Sequence, residues 1–171
     1  MSMSSPSSPL RVAVLSDTHL PAARASSLPS AVTDELEQAD VILHAGDIVS
    51  AEVLDVLGGF APVQAVLGNN DHELVGVLPE RLELDLAGVA VAMVHDSGPR
   101  TGRPARLRRW FPDAALVVFG HSHEPADEMG VDGQRLFNPG SAMQRRRQPR
   151  HTMGVLELAD GHIVDHRIVV V

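Results

Sequence analysis

Arg11-Val12-Ala13-Val14-Leu15 runs directly into Ser16-Asp17-Thr18-His19, and Val41-Ile42-Leu43 runs in the same way into His44-Ala45-Gly46-Asp47. Short apolar, β-branched runs bounded by polar turns read as buried strands, so each strand delivers its polar group just past its C-terminal end. Between the two, Ser30 to Ala39 has a helical pattern with Thr33 and Asp34 near its start. Val53 to Leu57 is helical in pattern and stops at Gly58-Gly59, while Pro62 to Leu67 is a third strand ending in Gly68-Asn69-Asn70-Asp71-His72. Strand, polar loop and helix in alternation imply right-handed βαβ units, a sheet with helices outside it, and sites beyond the C-terminal ends of the strands.

Further along, Leu82 to Leu86 and Val89 to Val94, separated by Ala87-Gly88, form a hairpin pattern that ends at His95. Leu116 to Phe119 runs into Gly120-His121-Ser122-His123. The last third is meander-like: Met129 to Phe137 around Asp132-Gly133 and Met153 to Val171 around Asp160-Gly161 read as two antiparallel hairpins. Ser97 to Pro104 and Ser141 to Pro149 are irregular and Arg-rich. With 171 residues, 44% of them hydrophobic, and no repeat or linker, the expectation is one domain over residues 10–171. A short disordered tail is expected over residues 1–9, where Met1 to Pro9 is rich in Ser and Pro.

Composition removes several function classes. The chain has no Cys, which excludes disulfides, a thiol nucleophile and sulfur-based metal sites, so any metal must sit on His, Asp, Glu or Asn. Its net charge is −8, all 14 basic residues are Arg, and aromatics make up 3% with no Tyr. That balance disfavours a nucleic-acid partner, which would need a basic groove and stacking platforms. No apolar run approaches the roughly 18 residues of a membrane span, and Met1 to Pro9 has neither the basic nor the apolar part of a signal peptide. A soluble, cytoplasmic protein is the expectation, and a homo-oligomer is compatible with it.

In extended chain, side chains two residues apart point the same way, so Asp17 and His19 can reach one point, as can His121 and His123. Asp47, Asn69 and His95 each follow another apolar run, which brings seven oxygen and nitrogen ligands to one rim. Two metal ions fit that number better than one, with Asp47 as the natural bridge. A mixed imidazole, carboxylate and amide set suits transition metals, manganese first, with iron, zinc and nickel as alternatives. Two ligand carboxylates against two divalent ions leave a centre of about +2, which suits phosphate.

Asp17-x-His19, Gly46-Asp47, Gly68-Asn69, His95 and Gly120-His121-x-His123, in this order, resemble the calcineurin-like metallophosphoesterases. His44-Ala45-Gly46-Asp47-Ile48 and Asn138-Pro139-Gly140-Ser141 look most like the small single-domain bacterial and archaeal phosphodiesterases. The resemblance implies an α/β fold: a four-layer αββα sandwich, two mixed β-sheets flanked by helices. It also implies one ion on Asp17, His19, Asp47 and His123 and the other on Asp47, Asn69, His95 and His121, with a metal-bridging hydroxide attacking a small phosphate-ester substrate. The same fold resembles a eukaryotic retromer scaffold subunit, so a non-catalytic interaction scaffold is the competing expectation, followed by a nuclease.

Two positions depart from the family pattern. Larger members have His after the motif Asn, where this chain has Asn70; an amide cannot protonate a leaving oxygen, so either His72 substitutes, or a bound water does, or substrates with good leaving groups are favoured, and His72 stands with Asp47 and Asn69 as the catalytic candidates. Asp96 follows His95 where many relatives have Gly, and a left-handed backbone there would be costlier for Asp. His44 and Asp71 are expected to support the ligands from behind, against the plainer readings of a core histidine and a helix cap. Arg100, Arg103, Arg106, Arg108 and Arg109, and Arg145, Arg146, Arg147 and Arg150, read either as solvated charge or as a basic lip; Asn70 and Arg150 are the substrate-binding candidates.

Overall fold

Strand β1 (Leu10–Leu15) occupies the middle of its sheet, and its alternation decides the layering. Val12 and Val14 point to one face, into a core shared with the second sheet, while Ala13 and Leu15 point to the other, against helices. In the computed structural model, which describes residues 8–171, the chain continues through α1 (Ser30–Leu36), β2 (Val41–His44), α2 (Ala51–Gly58), β3 (Val63–Ala65), β4 (Arg81–Leu86) and β5 (Val89–Val94). It ends with α3 (Arg103–Trp110), β6 (Leu116–Val118), β7 (Ala126–Met129), β8 (Arg135–Asn138), β9 (Thr152–Ala159) and β10 (His162–Val170). Of the tail expected to be disordered, residues 1–7 lie outside the described residues, and Ser8 and Pro9 are exposed.

One sheet has the order β10-β9-β1-β2-β3 and the other β4-β5-β6-β8-β7. In the first, β1, β2 and β3 are parallel, β9 is antiparallel to β1 and β10 is antiparallel to β9; in the second, β5, β6 and β8 are parallel, with antiparallel β4 and β7 at the two edges. Helices α1 and α2 cover the outer face of the first sheet through Val32 and Leu36 and through Val53 and Leu57, each an i, i+4 pair. Helix α3 covers the outer face of the second sheet with Leu107, and Phe111 packs beside it. The result is the expected αββα sandwich of two mixed sheets. Parallel strands covered on both faces explain the unbroken apolar runs of β1 and β6.

The hairpin signals were legible. Asp160-Gly161 and Ala87-Gly88 both adopt positive φ, as a two-residue hairpin turn requires, and they join β9 to β10 and β4 to β5. Helix α3 was not expected. Ser97 to Pro104 reads as irregular, but the chain turns at left-handed Gly102, places Pro104 in the first helical turn and buries little beyond Leu107, so the apolar period is weak. No helix of the described residues is long and apolar enough to cross a membrane.

Gly154 of β9 packs tightly against Phe137 of the second sheet. A Cβ there would lie 2.7 Å from Phe137 Cζ and 3.1 Å from Val14 Cβ, both fully buried. Gly154→Ala is therefore expected to destabilise the fold by about 1–3 kcal/mol, because the sandwich must open or Phe137 must leave its rotamer; urea unfolding of the two proteins measures it.

Candidate metal centre

The parallel strands of both sheets end along one edge of the sandwich, and the chain turns sharply at each end. Asp17 and His19 follow β1, Asp47 follows β2, Asn69 follows β3, His95 follows β5, and His121 and His123 follow β6. Five of these seven, Asp17, His19, Asp47, His121 and His123, have left-handed backbones with φ between 48° and 69°. For residues other than Gly that conformation costs about 1–2 kcal/mol each, and such strain concentrates at functional sites. Here it folds each side chain back over the rim.

The Asp17 Oδ2 accepts hydrogen bonds from Ser16 Oγ at 2.6 Å and from the His121 N–H at 3.0 Å. Its Oδ1 is buried and lacks a hydrogen-bond partner, yet it faces the Nε2 atoms of His123 at 3.3 Å, His19 at 3.8 Å and His95 at 3.9 Å. Asp47 Oδ2 faces His19 Nε2 at 3.4 Å and His95 Nε2 at 3.5 Å, so this carboxylate stands between the two sets of imidazoles. The remaining contacts close the group: Asn69 Oδ1 lies 3.0 Å from His95 Nε2 and 3.1 Å from His121 Nδ1, and the His19 and His123 Nε2 atoms are 3.3 Å apart.

Second contacts fix which ring nitrogen faces inward. His95 Nδ1–H donates to Ala45 O at 2.7 Å, and His123 Nδ1–H donates to Gln144 O, so each presents the Nε2 lone pair to the group. Burial raises the Asp17 carboxyl, but the favourable contacts with His123, His19 and Ser16 outweigh it and hold the group well below the usual carboxylate range. Asp47 is also held low: burial raises it, and His95 and Asn70 more than compensate. Burial lowers the His95 ring, but Asp47 and the Asp17 charge win and raise it. Two groups of three, Asp17 with His19 and His123 and Asp17 with Asp47 and His95, have potential ligand atoms within 4.8 Å of one another. A buried carboxylate oxygen without a donor, ringed by imidazole nitrogens, fits a divalent cation.

Behind these residues, Asp71 is almost fully buried and accepts four backbone N–H groups: Asp47 at 2.9 Å, and Ile48, Val49 and Gly68 at 2.7 Å each. These bonds hold the β2 and β3 loops together and stabilise Val49 at φ 87°, a strained value for a β-branched residue. The β3 loop approaches so closely that a Cβ on Gly68 would collide with the Asp47 backbone and carboxylate. His44 is fully buried; its Nδ1 accepts the Gly46 N–H at 3.2 Å, so its Nε2–H donates to Thr18 Oγ1 at 3.0 Å and ties the β1 loop to the β2 loop.

Other expectations are modified by tertiary contacts. The Asn70 N–H and side-chain amide both donate to Asp47, at 2.9 and 2.8 Å, so the amide is engaged within the group instead of standing free. Arg150 is exposed and makes no hydrogen bond or ion pair with the group among the described residues. The backbone at Asp96 is not left-handed; its carboxylate accepts the Gly98 N–H at 2.8 Å, which removes the strain expected there. Arg106 is a staple and not a lip: its guanidinium donates to Ser97 O at 2.8 Å, Thr101 O at 3.4 Å and Pro99 O, fixing the loop after His95. His72 is exposed and lines a cavity of about 450 Å³ together with Asn69, His95, His121, Val75 and Arg81.

Burial pushes the His44 ring down from 6.5 to about 4, against the raising influence of the Asp71 and Asp17 charges. The unfolded chain therefore takes up this proton at higher pH than the folded one. The contribution is whole above pH 6.5 and is lost as the pH falls to about 4, a change on the order of 3 kcal/mol. Urea midpoints of the metal-free protein should fall across that window, and His44→Gln should lack that part of the fall.

Residues 10–161 match the family model of the calcineurin-like phosphoesterase superfamily domain. A probable metallophosphoesterase of Methanothermobacter thermautotrophicus is 33% identical over 160 residues, covering 92% of this chain and 91% of the relative. Among solved structures, one described as a novel archaeal phosphodiesterase superposes with a TM-score of 0.73 at 21% identity, covering 94% of this chain and 99% of that one. Vps29 of Entamoeba histolytica complexed with zinc gives a TM-score of 0.73 at 23% identity, covering 94% and 98%. These last two likenesses concern the fold alone. The family match over most of the chain, the archaeal relative and the strand-end residues gathered on one rim agree: this chain belongs to the calcineurin-like phosphoesterase superfamily.

Proposed function

We propose that this protein is a binuclear, metal-dependent phosphodiesterase acting on a small phosphate ester, with residues 10–171 as its single catalytic domain. Asp17, His19, Asp47 and His123 would hold one cation and Asp47, Asn69, His95 and His121 the other, with manganese the first choice. The observation that carries this reading is the place of Asp47 Oδ2, 3.4 Å from His19 and 3.5 Å from His95, where one oxygen can serve both sets. When bound, such a pair of cations supplies Lewis-acid neutralisation of phosphate oxygens and a water nucleophile active near neutral pH.

The protein's own residues then orient and move protons. Asn70 and Asp71 hold the Asp47 carboxylate and its loop between His19 and His95. His95 and His123 keep the inward tautomer through Ala45 O and Gln144 O. His72, in the wall of the 450 Å³ cavity beside Asn69, His95 and His121, donates the proton to the departing alkoxide, a role that Asn70 cannot fill.

With manganese, bis(4-nitrophenyl) phosphate should be hydrolysed, and Asp47→Asn should abolish the reaction. Metal-dependent turnover that survives this change sinks the assignment; near-zero transition metal in protein purified with manganese favours an interaction scaffold instead. His72→Gln should slow alkyl diesters by about 10²-fold while nitrophenyl esters, whose leaving group needs no proton, change far less. Equal loss on both substrates removes the acid role.

A further inference from the structure

A second cavity, of about 440 Å³, is lined by Ser122, Glu124, Arg146, Arg147 and Gln148, and shares no lining residue with the cavity that contains His72. It adjoins the candidate centre through the chain itself. Ser122 lies between His121 and His123, and Arg146 Nη1–H donates to His121 O at 3.4 Å.

The loop that carries the two arginines is fastened to the centre at both ends of its first turn. Ser141 Oγ donates to Asp17 O at 2.8 Å and accepts the N–H groups of Met143 at 3.2 Å and Gln144 at 2.8 Å. Gln144 O in turn accepts from His123 Nδ1. Arg145 is consumed in closing the turn, donating to Gln148 O at 2.8 Å. Arg146 takes a left-handed backbone at φ 51°, unusual for a residue other than Gly, Asn or Asp.

Arg146 and Arg147 have no carboxylate within 4.0 Å among the described residues. The acidic group in the same cavity, Glu124, is engaged by Arg100 at 3.5 Å. Two uncompensated guanidinium groups thus stand beside the phosphate-handling rim of a chain whose net charge is −8. Guanidinium is the side chain best matched to phosphate oxygens, through forked hydrogen bonds.

We propose that this cavity is an anion subsite for a second phosphate, so that the preferred substrate is a phosphodiester whose retained alcohol carries a further phosphate group. The second phosphate is held, not cleaved. This inference rests on the phosphodiesterase reading above and narrows its substrate class.

Thymidine 5′-(4-nitrophenyl phosphate) and thymidine 3′-phosphate 5′-(4-nitrophenyl phosphate) release the same nitrophenol and differ only in the second phosphate. The manganese-loaded protein should favour the second by about tenfold in kcat/KM, and the ratio should collapse to about one in the double variant Arg146→Gln, Arg147→Gln. Arg109→Gln, on α3 and outside both cavities, should keep the preference. A ratio near one in the unaltered protein, or a preference that outlasts the double substitution, overturns the subsite.

Absence of any turnover by the unaltered protein counts against the phosphodiesterase reading and not against the cavity, which a binding arm tests alone. Thymidine 3′,5′-bisphosphate titrated calorimetrically into EDTA-treated protein should bind about tenfold more weakly after the double substitution. Equal affinities there overturn the proposal.

Discussion

One buried carboxylate organises the functional end of this molecule. Asp71 accepts the N–H groups of three consecutive residues after β2 and one after β3, and no other side chain among the described residues gathers so many backbone donors. Charge-assisted bonds to backbone N–H are among the stronger hydrogen bonds a protein makes, and they act here on a turn that would otherwise relax. Asp47 and Val49 both sit at positive φ, so the strain is local and the restraint is local too. From that anchor the arrangement propagates: Gly68 is drawn against Asp47, Asn70 meets the Asp47 carboxylate, and His95 closes over Ala45 O.

The group those bonds assemble is electrostatically unfinished within the polypeptide. Asp17 and Asp47 are kept ionised despite burial, and the imidazoles that stabilise them direct lone pairs to the same small region. Burying charge without pairing it is expensive, so a polypeptide that keeps this geometry gains most when a cation completes it. The surroundings spend little flexibility there: Ser16, Thr18, His44, Asn138 and Ser141 are all buried and hydrogen-bonded to the loops they support.

Much of this was written in the sequence because strand ends are easy to read. An apolar run that stops at Asp17, Asp47 or His121 announces both the strand and the turn after it, and parallel strands place such turns on a single edge. The paired layers followed from the same alternation, as Val12 and Val14 against Ala13 and Leu15 illustrate. Helix α3 was hidden because its arginines mask a narrow apolar stripe. Asn70 reads as a substrate contact because its partner, Asp47, is distant in sequence, and Arg106 reads as solvated charge or a basic lip because backbone carbonyls leave no mark in a sequence. Apart from α3, what sequence reading misses here is a side chain whose partner is fixed only by tertiary structure.

The contact between His19 and His123 joins positions 104 residues apart. Such long-range closures are slow steps in folding, since the intervening loops must lose their freedom before any contact repays it. Neither sheet alone contains a complete donor set, so the two halves must dock before the rim exists. Affinity for a cation is thus a property of the finished fold, and a metal that binds there stabilises the native state selectively over every partly folded one.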